Sequence, residues 1–214
     1  LRPELAESWS SDGKSWTFKL RQGVKFHNGD SFDAQDVKWS LEQIGSEKST
    51  AYFKNQVAGL EKIEIVDPFT IRLVTKQPDV SVPLWFGNYN MFVISRNSQP
   101  GQPIGCGPYK IAGTERGTSI DLVANDKYYK PGFPKLKAIK FTVYADENLR
   151  MAALQSGDVD MIEYVPWQSM ETVEKDSRLA LDAKPGPFMC VLFNGSKGPF
   201  SDPRIGRAVG QGAK

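Results

Sequence analysis

"KSWTFKLRQGVKFHNGDSFDAQDVKWSLEQIG", residues 14–45, passes from a two-residue period to a helical one. In its first part apolar and polar side chains alternate, so Trp16, Phe18 and Leu20 fall on one face of an extended chain. The spacing predicts a half-buried strand closed by a tight Gln22-Gly23 connection. Asn28-Gly29 is a second turn signal, because the pair accepts positive φ cheaply. The period then changes. Asp33 is placed to cap a helix, and Asp36 puts a negative charge in the first turn, where the dipole favours it. Val37, Leu41 and Ile44 recur at helical spacing, and Gly45 is expected to stop the helix.

Working outward, "LEKIEIVDPFTIRLVTKQP" (60–78) is predicted to be a hairpin, with Ile63 and Ile65 facing Ile71 and Leu73 across Asp67-Pro68. "VPLWFGNYNMFVIS" (82–95) has an apolar start, a polar break at Gly87–Asn90 and a short strand-like finish. "YKIAG" and "SIDLVAND" alternate on either side of Gly117, and "AIKFTVYAD" reads as another strand after the Pro/Gly-rich "YYKPGFPKLK". From about residue 134 the pattern shifts. "DENLRMAALQSGDVDMI" predicts a helix over 147–156 with Leu149, Ala153 and Leu154 toward a core, a stop at Gly157 and a strand from Val159. "VPWQSMETVEKDS" is a second helix with Pro166 at its first turn. "PFMCVLFN" (187–194) reads as a strand, and Asp202-Pro203 as the start of a last helix. The fold class expected is α/β (α+β): an antiparallel β-rich portion followed by an α/β portion.

Composition excludes several classes. The 214 residues are 40% hydrophobic and 24% charged, ordinary for a packed globular chain. With 27 basic and 25 acidic residues the net charge is +2, and nothing points to a nucleic-acid or membrane-surface partner. No apolar run is long enough for a transmembrane helix. The two cysteines, Cys106 and Cys190, match no metal spacing, and the sequence leaves them paired or free.

Four candidate sites follow from residue types. "PIGCGPYK" (103–110) holds Cys106 between two glycines, but the one histidine, His27, lies in a distant turn, so a Cys–His nucleophile is disfavoured. The same glycines lack the third glycine and following helix that a phosphate loop needs. They suit a loop with unusual backbone angles at a chain crossing. Asp158 and Asp160 share a face if extended, yet no third acid stands near to make a cation site. Tyr89, Asn90, Tyr164 and Trp167 sit where "GNYN" and "EYVPW" interrupt regular structure, and aromatics with a few polar groups are what ligand pockets use.

The order of these segments resembles one family. "LAESWSSDGKSWTFKLRQGVKFHNGDSFDAQDVKWSLEQI" (5–44), "PIGCGPYK", "NDKYYKPGFPKLKAIKF" (125–141), "LRMAALQSGDVDMI" (149–162) and "FNGSKGPFSDPRIGRAV" (193–209) are similar, in order, to family 5 extracellular solute-binding proteins. These are the peptide- and nickel-binding receptors of ABC importers. Cys106 stands where threonine is common in the family. The resemblance implies a periplasmic-binding-protein type II-like lobe with an inserted antiparallel β-rich subdomain. On that pattern residues 1–135 are mostly the insert, 136–185 the α/β part of the first lobe, and 186–214 the hinge approach and a truncated start of the second lobe. The family's N-terminal strand and most of its second lobe are not in the chain, so a fragment with at most half a binding site is expected. The implied function is non-enzymatic and uses no cofactor: a monomeric periplasmic receptor, made with a signal peptide in its parent protein. It would capture a dipeptide or oligopeptide between two lobes and deliver it to the permease's transmembrane subunits. A metal chelate, sugar or opine remains open as ligand. Tyr89 and Asn90, with Tyr164 and Trp167, are the residues expected to line the cleft. A thiol-dependent enzyme using Cys106 and a protein-interaction module are the competing classes.

Overall fold

The computed structural model describes residues 1–183 and 193–212, in two compact units, Leu1–Tyr144 and Ala145–Lys214. The strand expected over 187–194 lies mostly outside the described residues, and Cys190 wholly so.

The first unit is organised by a four-stranded antiparallel sheet of β1 (Ala6–Ser11), β2 (Ser15–Leu20), β3 (Leu60–Asp67) and β4 (Thr70–Thr75), in the order β1-β2-β4-β3. Its register places Trp16 opposite Leu73 and Phe18 opposite Ile71, and the β3–β4 hairpin places Ile63 and Ile65 opposite the same two residues. All of these therefore share one face. The other face carries Glu64 opposite Arg72, an ion pair in the solvated layer. This clean alternation is what an antiparallel sheet with one dry face requires. Phe18, Leu20, Ile71 and Leu73 are buried on that face, together with Val24, Phe26 and Phe32 from the connection between β2 and the first helix.

That helix, α1 (Ala34–Gly45), presses Val37, Leu41 and Ile44 into the core. Asp33 accepts a hydrogen bond from the Gln35 amide at 2.8 Å, and Asp36 accepts the Asp33 amide at 3.0 Å, a reciprocal cap. Asp36 is buried, and its other oxygen accepts the Arg96 amide at 3.1 Å. Gly45 ends α1 as expected, though without a left-handed turn: the following cap is Ser46 in extended conformation. A Cβ at Gly45 would lie 3.1 Å from Val57, so its smallness serves the approach of α2 (Lys54–Ala58).

After β4, α3 (Val82–Trp85) is a single turn with Pro83 at its start. The strand expected to follow over 91–95 is absent. The Ile94 amide is taken by the Ser40 hydroxyl and the Ser95 amide by the Ile104 carbonyl, so these groups have partners without a strand ladder. A second antiparallel sheet, β5 (Tyr109–Glu115), β6 (Ser119–Ala124) and β7 (Ala138–Thr142), completes the unit in the order β5-β6-β7. Its first hairpin turns through Gly117 at φ 78°, where only glycine is unstrained.

In the second unit, α4 (Glu147–Ser156) is capped by Asp146 and closed by Gly157 in the left-handed region at φ 84°. The expected inward face is only partly correct. Ala153 is buried, but Met151 takes the place of Leu149, which is 63% exposed. Leu149, Met151, Ala152, Ala153 and Leu154 spread apolar side chains round most of the helix, so periodicity could not select the face. No strand forms at Val159, and among the described residues of this unit no other strand exists to pair with it. A one-turn 3-10 helix at Trp167–Ser169 leads into α5 (Met170–Lys175), whose Val173 is buried. The last element, α6 (Pro203–Gly212), begins as its sequence predicts, with Asp202 accepting the Arg204 amide.

Candidate functional site

Within the first unit lies an apolar groove of about 1150 Å³ that reaches the dry face of the four-stranded sheet and Val37 of α1. Phe18, Leu20, Ile71 and Leu73 of the sheet are among its lining residues, with the segments around Pro83–Ile94 and Pro103–Ile111. A concave, mainly hydrophobic surface of this size is what small-molecule sites use.

One wall is the 103–110 loop, and here a contact was hidden from the sequence. The His27 amide donates to the Gly105 carbonyl at 2.8 Å, and its ring Nε2 lies 3.0 Å from the Gly107 carbonyl. A carbonyl can only accept, so Nε2 carries the proton and donates. The Asn125 side-chain amide donates to the same oxygen at 3.0 Å, and the Asn125 amide to Pro108 at 2.7 Å. The loop is thereby stitched on one side to the turn after β2 and on the other to the end of β6. Gly105 and Gly107 do not have positive φ, which corrects the expectation of unusual backbone angles. The crossing is held by carbonyls and not by glycine conformations.

Between them Cys106 is buried, and desolvation pushes its thiol up to about 11. A nucleophilic cysteine needs the opposite shift. With Nε2 of His27 committed as a donor, that nitrogen offers the thiol no base. The thiol-enzyme alternative therefore has no support in this geometry.

Tyr89 and Asn90 stand together in the turn after α3. Asn88 Oδ1 accepts both the Asn90 amide at 2.9 Å and the Asn90 side-chain amide at 3.0 Å, which folds the turn back on itself. Tyr89 is left 89% exposed. The groove is lined by Gly87 and Met91, on either side of this pair, but by neither Tyr89 nor Asn90.

Tyr164 and Trp167 stand together in the second unit. Tyr164 has φ 59°, the one non-glycine residue with positive φ among those described, and it is 81% exposed. Trp167, three residues on, is 82% exposed. The Tyr164 carbonyl accepts a hydrogen bond from Arg150 Nη2 of α4 at 3.1 Å. Asp158, the first acid of the "GDVDM" pair, accepts from Ser156 Oγ at 2.9 Å, a turn contact beside Gly157. No group of three metal-ligating side chains occurs among the described residues.

This chain belongs to the bacterial extracellular solute-binding proteins, family 5: the family's middle region matches residues 1–212. Among its relatives is the glutathione-binding protein GsiB of Pectobacterium atrosepticum, 30% identical over 215 residues, covering 96% of this chain and 42% of that protein. The chain thus spans under half the length of the curated relatives it matches. The binding protein AgaA of an Agrobacterium, solved with agropinic acid, is 39% identical, with a TM-score of 0.77 over 82% of this chain and 37% of that one. The periplasmic binding protein DppA of Helicobacter pylori, solved with the peptide STSA, is 26% identical, with a TM-score of 0.74 over 82% of this chain and 40% of that one. These are binding proteins and not enzymes, and the mixed helix-and-sheet architecture is theirs.

Proposed function

We propose that this chain is part of an extracytoplasmic receptor that captures a small peptide between two lobes and delivers it to the permease of an ABC-type importer. Ligand contacts to both lobes favour the closed form, and the closed form is what the permease recognises. Residues 1–135 then act as the β-rich insert of the first lobe, 136–185 as its α/β part, and 186–214 as the approach to the second lobe. The receptor works in the periplasm, as a monomer and without a cofactor.

Tyr89, Asn90, Tyr164 and Trp167 are the proposed lining residues. The observation that carries this reading is the exposure of Tyr89, Tyr164 and Trp167, each above four-fifths, in a chain whose Phe18, Phe26, Phe32 and Phe53 are all below one-tenth. Large aromatic surfaces held in water on tight turns are suited to cover a ligand. A peptide is favoured by the likeness to proteins named for glutathione and for a bound peptide. A second reading, an opine-type ligand, is favoured by the 39% identity to the protein solved with agropinic acid.

Calorimetry on the full-length protein separates these readings. Titration with glutathione, a mixture of dipeptides, and agropinic acid should give heat with a peptide. Tyr164→Ala and Trp167→Ala should each weaken the best binder by about tenfold, the loss of one buried aromatic contact. Unchanged affinity in both variants removes these two residues from the site.

A further inference from the structure

We propose that Arg150 is the positioning residue of the candidate site in the second unit. Its guanidinium clamps the backbone of Tyr164 in the conformation that presents Tyr164 and Trp167. The proposal rests on the reading of that loop as ligand-facing.

A tyrosine at φ 59° is in a region that side chains with a Cβ occupy at a cost, and it persists only when its surroundings hold it there. Its own side chain does not supply that hold, since Tyr164 is four-fifths exposed and not packed in place, and Val165, which precedes Pro166, is biased toward extended conformations. What does reach the turn is Arg150 Nη2, donating to the Tyr164 carbonyl at 3.1 Å. A charged donor on a carbonyl is stronger than a neutral one.

Arg150 is itself fixed from behind. It stands in the first turn of α4, whose start is capped by Asp146 and whose neighbours Met151 and Ala153 are buried. Its side chain is only 21% exposed, and Glu147 Oε1 lies 3.8 Å from the same Nη2. Its Nε is buried with no partner among the described residues, which leaves the hydrogen bond to the Tyr164 carbonyl and the Glu147 contact as the guanidinium's polar neighbours there. A rigid helix thus carries the strut, and the strut carries the loop. Arginine suits this work because a planar fork loses little freedom when it donates.

The clamp has a direct reporter. Tyr164–Val165 is the one Tyr-Val pair among these 214 residues, so with carbonyl-¹³C tyrosine and ¹⁵N-valine the clamped peptide bond gives a correlation peak that no other bond of this segment shares. The full-length protein would be studied as wild type, Arg150→Met, which keeps the apolar stem, and Arg150→Lys, which keeps a charged donor. Tyr164→Phe identifies the peak. Binding would be read in the same samples as occupancy by a defined mixture of dipeptides and tripeptides including glutathione.

The expected result is a displaced peak in Arg150→Met, partial return in Arg150→Lys, and peptide occupancy reduced by about tenfold in Arg150→Met. An unmoved peak in Arg150→Met overturns the clamp, whatever binding does. A displaced peak with unchanged occupancy overturns the positioning role while leaving the hydrogen bond in place. A displaced peak in a protein whose wild type takes up no peptide overturns the peptide reading on which the positioning role depends. Because Arg150→Lys retains the charge, its peak remains a valid test if Arg150→Met folds poorly.

Discussion

His27 Nε2 donates to the Gly107 carbonyl across 80 residues of sequence, at 3.0 Å. With Asn125 donating to the same oxygen, this one carbonyl joins the turn after β2, the 103–110 loop and the end of β6. The most site-like motif of the sequence is therefore a backbone junction that shapes one wall of the groove.

That junction predicts unequal costs for its two donors. Asn125 is 2% exposed, and its Oδ1 also accepts the Lys127 amide at 3.2 Å. Asn125→Ala leaves buried partners without hydrogen bonds and should cost about 1–3 kcal/mol in denaturant unfolding. His27→Phe, which keeps a flat ring but removes the donor, should cost about 1 kcal/mol. Equal stability of both variants with wild type would contradict the junction.

Cys106 should behave as an inert thiol. Its pKa, raised to about 11 by burial, leaves almost no thiolate at neutral pH. Alkylation by iodoacetamide at pH 7.5 should therefore be far slower than for an unfolded-chain cysteine, and should accelerate on denaturation. Rapid labelling of Cys106 in the native protein, read by peptide mapping apart from Cys190, would restore the nucleophile reading.

The cap of α1 should confer acid sensitivity. Partial burial acts to raise the Asp33 pKa, but hydrogen bonds from Arg96 and the Gln35 amide outweigh it and hold the carboxyl below its ordinary 3.8. A depressed folded value stabilises the fold above the unfolded pKa, and that stabilisation is lost as pH falls through the folded value. Asp33→Asn keeps a capping acceptor but loses the charge facing Arg96. It should be less stable than wild type by about 0.2–1 kcal/mol at pH 7, with the difference closing below about pH 4. Thermal unfolding between pH 2.5 and 7 measures this; a constant difference across that range would contradict it.

Glycine replacements should separate conformation from space. Gly157 at φ 84° closes α4, and Gly157→Ala should cost about 1–2 kcal/mol. Gly107 does not have positive φ, and a Cβ there would meet nothing within 4 Å. Gly107→Ala should be tolerated within about 0.5 kcal/mol. Chemical denaturation of the two variants side by side is the check, and the reverse ranking would be the contradiction.

The sequence was most legible where neighbours in the chain decide the structure. The alternation of Trp16, Phe18 and Leu20, the Asp33 cap and the 60–75 hairpin are local patterns, and the sheet and α1 follow them. It is less informative where distant groups decide. Gly45 stops α1 as its sequence predicts, but no local signal announces the approach of Val57 that its smallness also serves. Residues 91–95 are a short apolar run that reads like a strand, yet Ser40 and Ile104 take the Ile94 and Ser95 amides. For the site, turns and loops could be located because Gly, Asn and Pro punctuate the chain. Neither the 150–164 clamp nor the 27–107 junction could be found, since long-range side-chain-to-carbonyl bonds leave no periodicity. Only the positive φ of Tyr164 had a conceivable local signal, a residue poised before Val-Pro, and that signal is not specific.

That this chain is one part of a solute receptor is decided by native mass spectrometry of the full-length protein, purified without denaturation. The expected spectrum shows a bound mass that dissociates on gentle activation and fragments as a peptide of two to five residues (about 0.2–0.6 kDa, a size that fits a lobed cleft), while residues 1–214 alone retain none. A full-length protein that carries no small molecule and takes none from a peptide mixture, or a fragment that retains the ligand by itself, would contradict it.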